Sequence, residues 1–409
     1  MTLARAVRAE GHLIDTGLMS RYLGAVLEGG GRYEIRRFDV GRRRTDFSTA
    51  EIEVRAPSRP RLQSILDNLV ALGCRLVEET PVRLVPAPRE GVAPEGFYST
   101  THHRTRVRLP RGWREVANPR MDAVIVVRDG AARSTLLRDL RRGDPVVCGV
   151  EGVEILPPFR AREAKAFAFM RSEASSERAL EVRVRAVARA MRAARARGGR
   201  IVAVPGPVVV HTGGAPHLAA LVRRGWVDAL LAGNALAVHD AEQALFGTSL
   251  GVDLRTGLPA REGHMNHLRA INEVRRAGSL ARAVARGRLR SGIFHACARA
   301  GVPFVLAGSI RDDGPLPDTE MDLLRAQERY ARALTRAGLV LVLGSMLHGI
   351  GVGNMLPSDV PLVCVDINPA VVTKLADRGS GQAIGVVTDV GVFLHRLARA
   401  LPRRARRAR

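Results

Sequence analysis

The chain has 409 residues, enough for two or three domains, and its 46% hydrophobic and 25% charged residues exclude wholesale disorder. No run approaches the roughly 18 apolar residues of a membrane span, and the opening MTLARAVRAEGHLID has no apolar signal core, so a cytoplasmic protein without a membrane partner is expected. The formal net charge of +24 suggests nucleic acid, but of the 64 basic residues only Lys165 and Lys374 are lysine. Such replacement of lysine by arginine reads as a compositional bias, and no specific nucleic-acid partner is expected. Cys74, Cys148, Cys297 and Cys364 lie far apart with no CxxC pair, which fits reduced thiols and neither a disulfide framework nor a zinc site.

Residues 1–88 read as a small α+β domain. A helix is expected over 17–28, with Leu18, Tyr22, Ala25 and Val26 on one face, then strands at Tyr33–Val40 and Thr49–Ala56. An amphipathic helix over 60–72 presents Leu62, Ile65, Leu66, Leu69 and Val70, and a strand at Arg75–Val85 completes an α-β-β-α-β order with a mixed sheet. Residues 89–160 read as a β-rich subdomain with strands at Thr105–Leu109, Ala123–Val127 and Pro145–Val150, and a helix around 131–141. The boundary falls at Leu156-Pro157-Pro158.

Residues 161–401 alternate apolar strands with helices, the pattern of a doubly wound parallel sheet, an α/β fold covered on both faces. Strands are expected to end at Val204, Leu231, Leu306, Leu343 and Val365, with helices near 176–197, 214–224, 235–246, 266–287, 319–337 and 369–377. The arginine-rich stretch 402–409 reads as a solvated tail. Ligands of such folds bind beyond the carboxyl ends of the strands, and those ends carry the chemistry here.

Five clusters stand there. Gly206 to Gly214, with His211 inside it, offers backbone N–H groups to a phosphate, or is a plain glycine turn. Asn234 can bond a ribose or an amide, or cap a helix, and His239 with Asp240 form a candidate acid–base pair or a surface pair. Arg311, Asp312 and Asp313 form a charged loop suited to a zwitterionic substrate, or a loop salt bridge. Gly344-Ser345-Met346-Leu347-His348 follows the fourth apolar strand. Asp366 ends the fifth, ahead of Asn368-Pro369, where an acid grips ribose hydroxyls and favours NAD over NADP. There is no GxGxxG; Gly349, Gly351 and Gly353 are only a near-match. His264 and His267 have no evident third ligand, so no metal is expected.

Glu10–Asp15, Gly91–Thr101, Val209–Gly214, Leu231–Asp240, Phe246–Asp253, Ala307–Pro317 and Val363–Lys374 together resemble one family over nearly the whole chain. It is the archaeal-type NAD-dependent ornithine cyclodeaminase family, related to the lysine-oxoglutarate reductase/saccharopine dehydrogenase conserved region. The resemblance implies conversion of ornithine to proline and ammonia with NAD used and regenerated, a lyase whose redox steps cancel, in a homo-oligomer. The chain starts at the Glu-Gly-His segment, so the arginine dihydrolase domain of bifunctional relatives is not expected. The resemblance implies NAD contacts at Asn234, Ala235, Asp312 or Asp313, Ser345, Met346, Leu347, His348, Asp366, Asp389 and Val390. Residue type and position nominate His239, Asp240 and His267 for proton transfer. His102-His103-Arg104 stands where the family has Asn-His-Pro, a departure that touches on specificity. An NAD-dependent amino-acid dehydrogenase or saccharopine-type enzyme, and an NAD-sensing regulator, are the alternatives.

Overall fold

The computed structural model describes residues 3–14, 16–43, 46–77, 80–156, 176–249, 252–253, 266–312, 314–378 and 383–402. The expected boundary at 157–158, Asp313, His264 and the end of the basic tail (403–409) lie outside them. The chain forms two compact units, one of residues 1–170 with 356–359, the other of 171–355 with 360–409.

The first unit begins with β1 (Leu3–Gly11), α1 (Leu18–Glu28), β2 (Arg32–Asp39), β3 (Ser48–Ala56), α2 (Arg59–Ala71) and β4 (Arg75–Leu76). The sheet order is β2-β3-β1-β4, with its three neighbouring pairs all antiparallel. This is the β-α-β-β-α-β ferredoxin-like arrangement rather than the expected mixed sheet. The first strand escaped notice because its arginines break the apolar alternation, yet Val7 and Ala9 are buried. Tyr22 and Val26 of α1, and all five apolar residues expected of α2, are buried as well.

A second sheet follows, built from β5 (Arg83–Pro86), β6 (Arg104–Leu109), β7 (Gly112–Ala117), β8 (Val124–Arg128), β9 (Ala131–Thr135), β10 (Pro145–Cys148) and β11 (Val153–Leu156), in the order β11-β6-β7-β9-β8-β10-β5. The strand expected over 75–85 is thus two strands in different sheets, separated at Pro81, which has no N–H for a ladder. The helix expected around 131–141 is β9 plus a single 3₁₀ turn at Leu137–Asp139, because Ala132 and Ser134 are buried at period two.

The second unit holds α3 (Ser176–Ala196), β12 (Arg200–Pro205), α4 (Val208–His211), α5 (Ala215–Arg223), β13 (Ala229–Gly233), α6 (Asn234–Phe246), a small pair β14 (Thr248–Ser249) and β15 (Val252–Asp253), and α7 (Asn266–Ala277). It continues with α8 (Leu280–Ala285), α9 (Ile293–Ala300), β16 (Phe304–Ala307), β17 (Thr319–Glu320), α10 (Leu323–Ala333), β18 (Ala337–Leu343), α11 (Met346–Met355), β19 (Leu362–Asp366), α12 (Pro369–Arg378), β20 (Ile384–Val387) and α13 (Val390–Ala400). The helix expected over 266–287 is two helices. Gly278 takes φ +87°, and the Ser279 hydroxyl caps α8 by accepting from the Arg282 N–H at 3.0 Å.

The main sheet runs β17-β16-β13-β12-β18-β19-β20, with its six neighbouring pairs all parallel. Helix α13 packs on α3 and α5, and α11 packs on α10 and α12, so the sheet is doubly wound as expected. Counting from β12, the strands run 3-2-1-4-5-6 with β17 added outside. The order reverses between β12 and β18, and ligands of open α/β sheets bind beyond the strand ends at such a switch point. Among the described residues no helix is long and apolar enough to cross a membrane.

Candidate active site

At the switch point the chain leaves β12 through Gly206 and β18 through Gly344. A Cβ at 206 would fall on the Gly344 carbonyl oxygen, and one at 344, where φ is +57°, on Val208 Cγ1. Glycine is therefore dictated at both positions, and two bare backbone turns meet where a phosphate-bearing ligand would need close approach. Ser345 is buried, its Oγ 3.3 Å from Nδ1 of His348, while Met346 and Leu347 are 45% and 74% exposed at the start of α11. Burial holds His348 below the ordinary imidazole range, which favours the neutral ring, against the pull of Asp312. Val390 is buried against this turn, and Asp389 caps α13 by accepting from the Val392 N–H at 2.9 Å.

Asp366 closes β19, with Oδ1 accepting from the Asn368 N–H at 2.8 Å. Asn234, in the first turn of α6 beside half-buried Ala235, is itself buried. Its Oδ1 accepts from the Leu316 N–H at 3.0 Å and the Thr319 hydroxyl at 2.9 Å, and its Nδ2 donates one N–H to Asp312 Oδ1 at 3.2 Å. It is not the N-cap of α6, a place held by Gly233, and it pins the loop that carries Asp312. That carboxylate also accepts from the Ser309 N–H at 2.7 Å, while Arg311 is exposed.

Further along α6 the expected pair of His239 and Asp240 separates. Asp240 is fully buried, and its two oxygens accept from the N–H groups of Ile293 and Phe294 at 2.8 and 2.9 Å, capping α9. Burial pushes it up to about 6 against the pull of these amides. Asp240 is a helix cap rather than half of an acid–base pair: residues one apart on a helix do not share a face.

The neighbour that does share a face with His239 is Glu242, three residues on, which sequence reasoning missed. It has no exposure, and its Oε1 accepts from Thr248 Oγ1 at 2.8 Å. Oε2 stands 3.6 Å from Nδ1 of both His239 and His267. His211 joins them, its ring centroid 4.7 Å from that of His239 and its Nδ1 2.7 Å from Ser249 Oγ. Burial and the adjacent His239 hold His211 below its ordinary range. The sequence signal was the His-x-x-Glu spacing on α6.

Fold and strand-end chemistry together define an α/β protein with a dinucleotide-type crevice and a buried histidine–carboxylate cluster beside it. The ArgZ-like C-terminal Rossmann-fold family model matches residues 185–397, the ArgZ-like C-terminal first-region model 104–184, and the LOR/SDH bifunctional enzyme conserved region 4–103. The bifunctional arginine dihydrolase/ornithine cyclodeaminase ArgZ of Synechocystis is 49% identical over 97% of this chain and 58% of its own length. The ornithine cyclodeaminase of Methanocaldococcus jannaschii is 47% identical over 97% of this chain and 96% of its own. Among solved structures, ArgZ without ligand matches with a TM-score of 0.86 at 46% identity, over 98% of this chain and 58% of that one. A ternary complex of AgrE with ornithine and NAD+ matches with a TM-score of 0.53 at 47% identity, over 98% and 57%. The chain belongs to the family formed by the archaeal ornithine cyclodeaminases and the C-terminal region of ArgZ-like enzymes. It spans a little over half the length of the bifunctional relatives.

Proposed function

We propose that this chain is an ornithine cyclodeaminase, converting L-ornithine to L-proline and ammonia with NAD that is used and regenerated. The observation that carries the reading is the 47% identity, over nearly the full length of both chains, to an archaeal protein of that name. The AgrE complex with ornithine and NAD+, similar over 98% of this chain, supports the same pair of ligands.

The residues present fit a dinucleotide. Gly206 and Gly344 keep side chains out of the switch point, and Ser345 to His348 open a helix directly after it. Asp366 retains an oxygen for ribose hydroxyls, and Asp389 with Val390 lines the start of α13. Asn234, Ala235 and Asp312 form the wall from β13, with Asn234 acting by holding the Asp312 loop in place. When bound, NAD would take hydride from the substrate α-carbon and later return it. The protein's part is to hold the chain so that the terminal amine reaches that carbon, and to move protons between nitrogens. His239 and His267 are our candidates for the second task.

Purified protein given ornithine should release proline and ammonia in equal amounts with no net NADH. Accumulating NADH would point instead to an amino-acid dehydrogenase on this scaffold. Asp366→Ala should weaken NAD binding and narrow the preference over NADP; unchanged binding of both removes Asp366 from the ribose. A cytoplasmic homo-oligomer completes the proposal. The outer strand β2 supports association, since it leaves Tyr33, Ile35 and Phe38 exposed along a sheet edge, and light scattering decides it.

A further inference from the structure

The Glu242 cluster is the most unusual chemistry in the second unit. A carboxylate with no exposure requires a cationic or hydrogen-bonding environment, and Thr248, His239 and His267 are part of it here. Thr248 Oγ1 donates to Oε1 and in turn accepts from Asn266 Nδ2 at 3.1 Å, which fixes the carboxylate plane. Oε2 then faces Nδ1 of His239 and Nδ1 of His267, each at 3.6 Å, beyond hydrogen-bond range. Both imidazole nitrogens are buried, and neither has a hydrogen-bond partner among the described residues. His239 is 6% exposed, whereas the His267 side chain, at 36%, gives the cluster its open side. Each of the three residues offers an atom that lies within 4.8 Å of those offered by the other two.

We propose that Glu242, His239 and His267 form a tripod for a primary ammonium group, the side-chain ammonium of the diamino-acid substrate. This rests on the reading of the chain as an ornithine cyclodeaminase. An ammonium group carries three N–H donors, and imidazoles protonated at Nε2 supply two Nδ1 acceptors to stand beside the carboxylate oxygen. Tetrahedral donors place acceptors about 4.7 Å apart, and a tetrahedral metal places its ligands about 3.4 Å apart. The two 3.6 Å separations lie nearer the metal spacing, so the ammonium reading rests on the charge of the proposed substrate, and a bound metal is an outcome of the test. Among the described residues, the nearest further imidazole, His211, has its Nδ1 engaged with Ser249. The proposed substrate, by contrast, brings an ammonium that must be recognised and then lose one proton. Passing that proton from the ammonium nitrogen to an imidazole Nδ1 leaves the amine its lone pair for ring closure. The positive charge then sits on an imidazolium beside Glu242, and nothing else is consumed.

The test is calorimetry on the NAD-loaded full chain with ornithine and with 2-aminopentanoate, which has the same carbon chain and no terminal amine. Glu242→Gln should weaken ornithine binding about 10- to 100-fold and leave 2-aminopentanoate within about twofold. Unchanged ornithine binding, or equal weakening of both, overturns the tripod. If Glu242→Gln does not fold, His267→Asn is read against the same pair, with the same selective loss expected. If the wild-type protein neither binds nor turns over ornithine, the reading as a cyclodeaminase fails. The tripod is then decided by 1,4-diaminobutane, which should raise the melting temperature of wild type and not of the variant; no shift in wild type overturns it. Stoichiometric Zn²⁺ that survives dialysis in wild type and is lost in Glu242→Gln makes this a metal site and overturns the proposal.

Discussion

Asp240 and Glu242 stand two residues apart on one helix, both without exposure, and meet opposite environments. Asp240 faces α9, where two backbone amides fill its oxygens. Glu242 faces the histidines, where one oxygen is held by a threonine and the other is turned toward two ring nitrogens. Burial alone therefore does not mark a carboxylate as functional. What distinguishes the two is whether the partners are fixed main-chain donors or groups able to exchange protons and ligands.

The sharpest way to break this contrast is Glu242→Gln, for which ornithine turnover should fall about 100-fold or more while the melting temperature shifts by only a few degrees. Turnover near wild type would place Glu242 with Asp240 among structural acids. The next largest effect is on stability. Asp240→Ala orphans two buried amides at the start of α9 and should cost about 2–4 kcal/mol in urea unfolding. An intact midpoint would show that α9 does not depend on its cap.

The pH dependence separates the pair further. Asp240 titrates near 6 in the folded protein and near its ordinary value when unfolded. The native state therefore holds the extra proton between about pH 4 and 6, and this group's contribution falls as pH rises through that window. Relative to Asp240→Asn, the wild-type stability curve should slope downward there, and parallel curves would refute the assignment. The smallest effect is expected of Thr248→Val, which loses one hydrogen bond to Glu242 and should cost about 1 kcal/mol, with KM for ornithine rising more than kcat falls.

The doubly wound sheet was legible because its strands are unbroken apolar runs, as at Leu339–Leu343. Helix α2 was legible from spacing alone. Helix α11 was not, since Gly349, Gly351 and Gly353 weaken a helical pattern and stand out only as a near-match to GxGxxG. Gly349 is in fact required by packing, for a Cβ there would press on Val342 and Leu375. The strand-end residues were found by position, yet the use of Asn234 as a brace was invisible, because its partners lie some 80 positions away. Glu242 was not legible from adjacency, because the residue that shares a face with His239 lies three positions on rather than next to it.

The pairing of β12 with β18 has a consequence for how the protein comes into being. Pro205 and Leu343 are ladder neighbours, so the two glycine turns that form the crevice leave the ribosome far apart in time. Everything between them, including the whole of α6 and its cluster, is made before the crevice can close. Closure of so long a loop places crevice formation late in folding, and makes ligand binding a reporter of complete assembly rather than of partial collapse. A nascent chain halted before residue 337 should hold much of its helix and none of its nucleotide affinity.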